Sequence, residues 1–188
     1  MSESIKVVCR FRGGQEVSTN TSHPIMSLNL SLFIYQSEDA WTFDPNGLTV
    51  KSPAGKRDPK TFTYDKVLNS DSSQSEAYLE AGRSSVKALL EGFNGTIFAY
   101  GQSGSGKTFT MLGPDSVVEA IKEGGADGIP EDVQEMYGLI PRAIGEIFEA
   151  INKVNEAGQG SRIELSVQYL EIYNEQVMDL LSATPKTD

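Results

Sequence analysis

"FNGTIFAYGQSGSGKTFTM", residues 93–111, is the stretch on which the reading of this 188-residue chain turns. Its left half, "GTIFAYG" (95–101), is a continuous apolar run, the pattern expected of a strand buried on both faces. Its right half, Gly101-Gln102-Ser103-Gly104-Ser105-Gly106-Lys107-Thr108, satisfies G-x-x-x-x-G-K-[ST]. With glycine at roughly 7% of residues, chance supplies such a match in a chain of this size on the order of once in a hundred. A strand that delivers the loop and a helix that begins at its end lower that figure further, and both are expected here.

The residue types dictate the chemistry. Gly101, Gly104 and Gly106 let backbone N–H groups approach phosphate oxygens with no Cβ in the way. The helix that follows is expected to turn its positive end toward the same oxygens. Lys107 supplies a point charge to the β and γ phosphates, and the Thr108 hydroxyl completes a Mg²⁺ coordination sphere. Gln102, Ser103 and Ser105 complete the loop, so residues 101–108 as a whole are the expected cradle for a nucleoside triphosphate with Mg²⁺. The bland reading, a flexible surface turn, lacks any reason for the strand and helix on either side. A dinucleotide site is not expected, because the loop carries no G-x-G-x-x-G.

Composition bounds the rest. The 38% hydrophobic content is that of an ordinary globular protein, enough for one domain or part of a larger one. No apolar run approaches the roughly 20 residues that span a bilayer, and Glu3 stands where a signal peptide carries basic residues. Cys9 is the only cysteine, which fits a reducing compartment, so cytoplasm is the expected location. Acidic residues outnumber basic ones by 26 to 16, for a net charge of -10. That balance argues against nucleic acid as a partner, since phosphate backbones need clustered Lys and Arg.

Outward from the loop, "IKVVCRFR" (5–12) alternates Ile5, Val7, Cys9 and Phe11 against Lys6, Val8, Arg10 and Arg12, a strand with one buried face. "SLFIY" (31–35), "WTFD" (41–44) and "LTVKS" (48–52) suggest a small β-meander, with Pro45-Asn46-Gly47 as a turn. "TFTYDKV" (61–67) reads as one further strand. Residues 74–92 are expected to be one helix, with Ser73 and Glu76 as a capping box. A second helix is expected over 139–156, its apolar stripe formed by Ile140, Ile144, Ile147, Phe148, Ile151 and Val154. Residues 113–138 read as an exposed excursion holding a short helix, and 161–181 as a long strand pair. The layout is α/β, with helices packed on a mixed central sheet.

Several of these blocks together resemble a known family. "IKVVCRFR", "FTYDKVLN", "LLEGFNGTIFAYGQSGSGKTFTMLG", "GLIPRAIGEIF" and "VQYLEIYNEQVMDLL" look like the N-terminal half of a kinesin motor domain, in the family's order and over nearly the whole chain. The resemblance implies a P-loop NTPase fold, ATP with Mg²⁺ as ligand, a microtubule as partner, and a cytoskeletal location. It also implies that Arg10 and Arg12 lie beside adenine and ribose, with Phe109 against the base. Read without the family, the two arginines equally suit a solvated strand edge, and Phe109 the core of a helix's first turn. Similar kinesins follow the arginine motif with proline, where this chain has Gly13-Gly14, so looser packing on adenine is expected.

Binding phosphate is not hydrolysing it. The family supplies its water-positioning residues and the acid beside magnesium from motifs resembling NxxSSRSH and DxxGxE, and neither occurs in these 188 residues. Asp44 and Asp65 are alternative acids, but each follows an alternating strand, which favours a turn or cap role. No complete catalytic set is therefore expected, and whether the chain alone turns over ATP stays open. The competing readings are the ATP-binding part of a motor and a non-catalytic ATP-binding or structural module. The family's main tubulin contacts and several strands belong to its second half. The expectation is a partial domain with unpaired sheet edges and uncovered helix faces. Direction of movement, oligomeric state and cargo are not legible.

Overall fold

The computed structural model describes residues 5–11, 41–52, 59–124, 129–156 and 163–182. The expected strand at 31–35, the loop at 13–24 and Arg12 lie outside the described residues. Two compact units are distinguished, 1–149 and 150–188, with helix α6 (Leu139–Glu156) continuing from one into the other.

In the first unit, strand β1 (Val8–Arg10) lies parallel to β5 (Lys66–Leu68), with Cys9 opposite Val67. The strand is half-buried on both faces rather than buried on one, with Val8, Cys9, Arg10 and Phe11 all partly covered. Val8 packs on the core and Arg10 is half-buried, whereas Ile5 and Val7 precede the strand and are exposed. Strands β2 (Thr42–Phe43), β3 (Thr49–Lys51) and β4 (Thr61–Thr63) form an antiparallel meander. Phe11 meets Trp41 and Phe43 edge-on at centroid separations of 5.6 and 4.9 Å, and Trp41 tilts over Phe62.

The single strand expected over 61–67 is two strands in two sheets. Asp65 makes the switch: its amide donates to the Val7 carbonyl at 3.0 Å and its Oδ2 accepts from the Val7 amide at 2.7 Å. This carboxylate therefore serves backbone pairing. Asp44 has a comparable role: its Oδ1 accepts from the Asn46 amide at 3.0 Å in the turn after β2. That backbone hydrogen bond, with a further one from Thr49, holds the exposed Asp44 carboxyl below its ordinary range.

The helix expected over 74–92 begins as read. Ser73 Oγ accepts from the Glu76 amide at 3.0 Å, satisfying one of the orphan donors of the first turn. It then breaks at Gly82 into α1 (Gln74–Ala81) and α2 (Arg83–Leu90). A Cβ at Gly82 would meet the Tyr78 ring at 2.8 Å, so the break lets that ring pack against the backbone. Leu68, Ala77, Tyr78, Val86 and Leu139 form the core, with Val8, Ala81, Ile97, Met111, Ala143 and Ile147 packed against it.

The largest departure from expectation falls on "GTIFAYG". Among the described residues this segment pairs with no strand, and Phe98 and Tyr100 are 81% and 90% exposed. An apolar run is buried on both faces only where strands flank it and helices cover it. Here Ile97 alone of its large side chains reaches the core. The described strands accordingly form three small sheets rather than one central sheet. Helix α6 forms over the residues expected, but Ile140, Ile144 and Phe148 on its stripe are exposed.

The excursion after the loop holds two helices, α4 (Asp115–Gly124) and α5 (Glu131–Glu135). It is pinched at its base, where the Gly138 amide donates to the Leu112 carbonyl at 3.1 Å. In the second unit, β6 (Leu170–Tyr173) and β7 (Gln176–Asp179) form a hairpin. Asn174 and Glu175 at its tip both have positive φ, 50° and 64°, as a type I′ turn demands. The strand expected from residue 163 begins only at Leu170. Tyr169 and Tyr173 are exposed, as are most residues of the hairpin.

Candidate functional site

Residues 101–108 leave the extended segment and turn twice through left-handed backbone, at Gly104 (φ 76°) and Gly106 (φ 94°). Any other residue in these conformations carries a steric cost of about 1–2 kcal/mol. Gly101 is constrained by contact instead, since a Cβ there would collide with Ser105 Oγ. Gly106 is the N-cap of α3 (Lys107–Met111), a helix of five residues. Lys107 Nζ donates to the Gly101 and Gln102 carbonyls, each at 2.8 Å, and thus folds back over its own loop.

The loop forms one wall of a cavity of about 550 Å³, within the range of small-ligand sites. Gly104, Ser105, Gly106, Lys107, Thr108 and Phe109 line it from the loop and α3. Arg10 and Phe11 line it from β1, and Ser70, Ser72, Ser73 and Gln74 from the start of α1. Of the residues expected at the site, the structure therefore brings together Arg10, Gly104 to Thr108 and Phe109. Gly101 and Gln102 stand behind the wall and hold Lys107, and Ser103 is not among the lining residues.

Arg10 is not a free strand-edge cation. Its Nη1 donates to Gln74 Oε1 at 2.8 Å and to Thr110 Oγ1 at 3.1 Å, and its Cζ lies 5.3 Å from the Phe109 ring centroid. Burial lowers its pKa, and the Glu76 carboxylate acts in the opposite sense. The residue that sequence reasoning missed is Gln74, one of the few buried polar side chains of the described chain. Its only signal was its place just inside the Ser73 cap, which fixes its orientation at the helix start. Among the described residues no carboxylate lines the cavity, and no cluster of His, Cys, Asp and Glu could hold a metal by itself.

A glycine-turned loop ending in Gly106-Lys107-Thr108, running from an extended segment into a helix of a mixed α/β chain, is the equipment of a P-loop nucleotide-binding protein. The family model for the kinesin motor domain matches residues 18–188, and this chain belongs to that family. It is 41% identical over 129 residues to "Kinesin-like protein KIF15-A" of Xenopus laevis, covering 68% of this chain and 8% of that protein. It is 40% identical over 127 residues to "Kinesin-like protein KIF15" of Homo sapiens, covering 67% of this chain and 8% of the relative. With "Kinesin-like protein KIF3C" of Pongo abelii the identity is 35% over 187 residues, 98% of this chain and 19% of the relative. The chain thus spans a small part of the length of the relatives it matches. Membership implies nucleotide binding with Mg²⁺ in general. Among the described residues no helix is long and apolar enough to cross a membrane.

Proposed function

We propose that residues 1–188 are the N-terminal half of a kinesin-like motor domain and form the ATP-binding part of a microtubule motor, associated with the cytoskeleton of the cytoplasm. In the complete domain, this part joins a mixed central sheet flanked by helices. The observation that carries the reading is the placement of Gly104 to Thr108 along one wall of the cavity, with Arg10 and Phe109 along another.

The lining suits the ligand. Backbone N–H groups at the glycines, the Lys107 ammonium and the Ser105 and Thr108 hydroxyls all donate, as a polyphosphate requires. Lys107 exchanges the Gly101 and Gln102 carbonyls for phosphate oxygens, a stronger charge-assisted pair. Thr108 is the side chain that would hold Mg²⁺. The ion's chemistry is neutralisation of charge on the β and γ phosphates.

A second reading, a non-catalytic ATP-binding module, is favoured by one observation: among the described residues the lining holds no acid or base able to position an attacking water. Equilibrium binding of a fluorescent ATP analogue with Mg²⁺ tests the site. Lys107→Ala is expected to weaken it roughly ten- to a hundredfold, the worth of a hydrogen bond to a charged group. Equal binding by both forms rejects the assignment. Microtubule-stimulated phosphate release by the chain, above that of Lys107→Ala, rejects the non-catalytic reading.

A further inference from the structure

Gln74 is 6% exposed, and both ends of its amide are occupied. Its Oε1 accepts from Arg10 Nη1 at 2.8 Å, while its Nε2 donates to the Phe109 carbonyl at 2.7 Å. Chemistry permits only this orientation, because a guanidinium can only donate and a carbonyl can only accept. The two partners are the same two residues that face one another across 5.3 Å, guanidinium to ring. One buried amide thus clamps a cation from β1 and the first turn of α3 into a single unit on the cavity wall.

The character of that unit is different from the glycine-and-lysine wall. A flat guanidinium beside an aromatic ring offers stacking surfaces suited to a planar heteroaromatic ligand. Part of the guanidinium's donor capacity is already taken by Gln74, Thr110 and the Ser72 carbonyl, which leaves less of it for phosphate. We propose that Gln74 is a positioning residue for nucleoside recognition: it sets the Arg10 guanidinium and the Phe109 ring, and through them governs the affinity contributed by the base and ribose rather than by the phosphates. This rests on the phosphate-loop reading given above.

No other common side chain fills the role. Asparagine is one methylene short, glutamate places an acceptor against the Phe109 carbonyl, and methionine matches the length but bonds neither partner. The experiment compares binding of Mg-ATP with binding of inorganic tripolyphosphate with Mg²⁺, using the full chain with Gln74, Gln74→Met, Arg10→Ala and the double variant. Gln74→Met is expected to lower affinity for Mg-ATP roughly tenfold and to leave tripolyphosphate binding unchanged. Because Gln74 acts in part through Arg10, the double variant should lose less Mg-ATP affinity than the sum of the two single losses.

Equal losses for both ligands would show general loosening of the site and overturn the proposal, as would additive losses in the double variant or unchanged Mg-ATP binding by Gln74→Met. Lys107→Ala, which must weaken both ligands, separates this outcome from failure of the phosphate loop itself. If wild type holds neither ligand, the phosphate-loop reading falls, and this inference with it. Should Gln74→Met not fold, Gln74→Asn carries the same comparison, since it keeps a neutral amide that is one methylene too short to reach both partners.

Discussion

The Tyr78 hydroxyl on α1 donates a 2.7 Å hydrogen bond to Glu146 Oε2 on α6, joining two helices through the edge of the core. Arg83 Nε lies 3.6 Å from the other oxygen of the same carboxylate, so Glu146 is held from both sides. Tyr78→Phe removes the donor and leaves the ring. The expected cost is about 1–2 kcal/mol, toward the value for a hydrogen bond to a charged partner. For a chain of this size that corresponds to a fall of roughly 2–8 °C in Tm, measured by thermal denaturation followed by circular dichroism.

The same pair makes stability depend on alkaline pH. Burial raises the Tyr78 phenol above its ordinary range, and the Glu146 hydrogen bond and charge raise it further, against the pull of Arg83 and Arg142. The folded state therefore holds this proton more tightly than the unfolded state. The contribution is fully present below the ordinary phenol pKa of about 10 and is lost as pH rises through the folded value. Chemical denaturation across the alkaline range should show a steeper loss for wild type than for Tyr78→Phe. Parallel curves would contradict the linkage.

Gly138→Ala should be among the more damaging small substitutions. A Cβ there would meet the Met111 carbonyl carbon at 2.5 Å and the Leu112 amide nitrogen at 2.6 Å, which are backbone atoms directly after the cavity-lining helix α3. Overpacking of this kind costs about 1–3 kcal/mol. The melting temperature reads the loss, and Gly145→Ala, where a Cβ meets nothing within 4 Å, is the control expected to leave stability unchanged or raise it.

At the tip of the β6–β7 hairpin, Glu175 occupies a left-handed conformation with φ 64°. Glu175→Gly removes the Cβ clash at that φ, a relief of roughly 1 kcal/mol partly offset by glycine's greater freedom when unfolded. Amide hydrogen exchange within 170–179 should slow modestly. Faster exchange would mean that the glutamate side chain contributes more than its backbone strain removes.

Cys9 should resist alkylation. Burial raises its thiol pKa, and a hydrogen bond with Tyr64 only partly opposes this. Less thiolate is present near neutral pH, and only the thiolate attacks. Iodoacetamide labelling at pH 8 is expected to be several-fold slower in the folded chain than in urea, with the difference narrowing as pH rises.

Local chemistry was legible in the residues themselves. Ser73 and Glu76 announced a cap because a short hydroxyl before a helix needs only its own next turn to act. Pro45-Asn46-Gly47 marked the meander turn for the same reason. What could not be read was whatever required a partner distant in sequence. The apolar run 95–101 looks like a buried strand from any window, yet burial on two faces is supplied by neighbours and not by the run. Likewise, "TFTYDKV" reads as one strand, while its division between two sheets depends on Asp65 meeting Val7, 58 residues away.

The sequence by itself determined that a phosphate-type loop exists here and which family owns it, because backbone freedom at glycine and the order of motif blocks are properties of the chain alone. Only the tertiary structure decided how the site is assembled. It turned Arg10 inward rather than out to solvent, placed it against Phe109, and put Gln74 between them. That arrangement depends on β1, α1 and α3 converging, and a buried amide acquires its role only from the donor and acceptor that folding brings to its two ends.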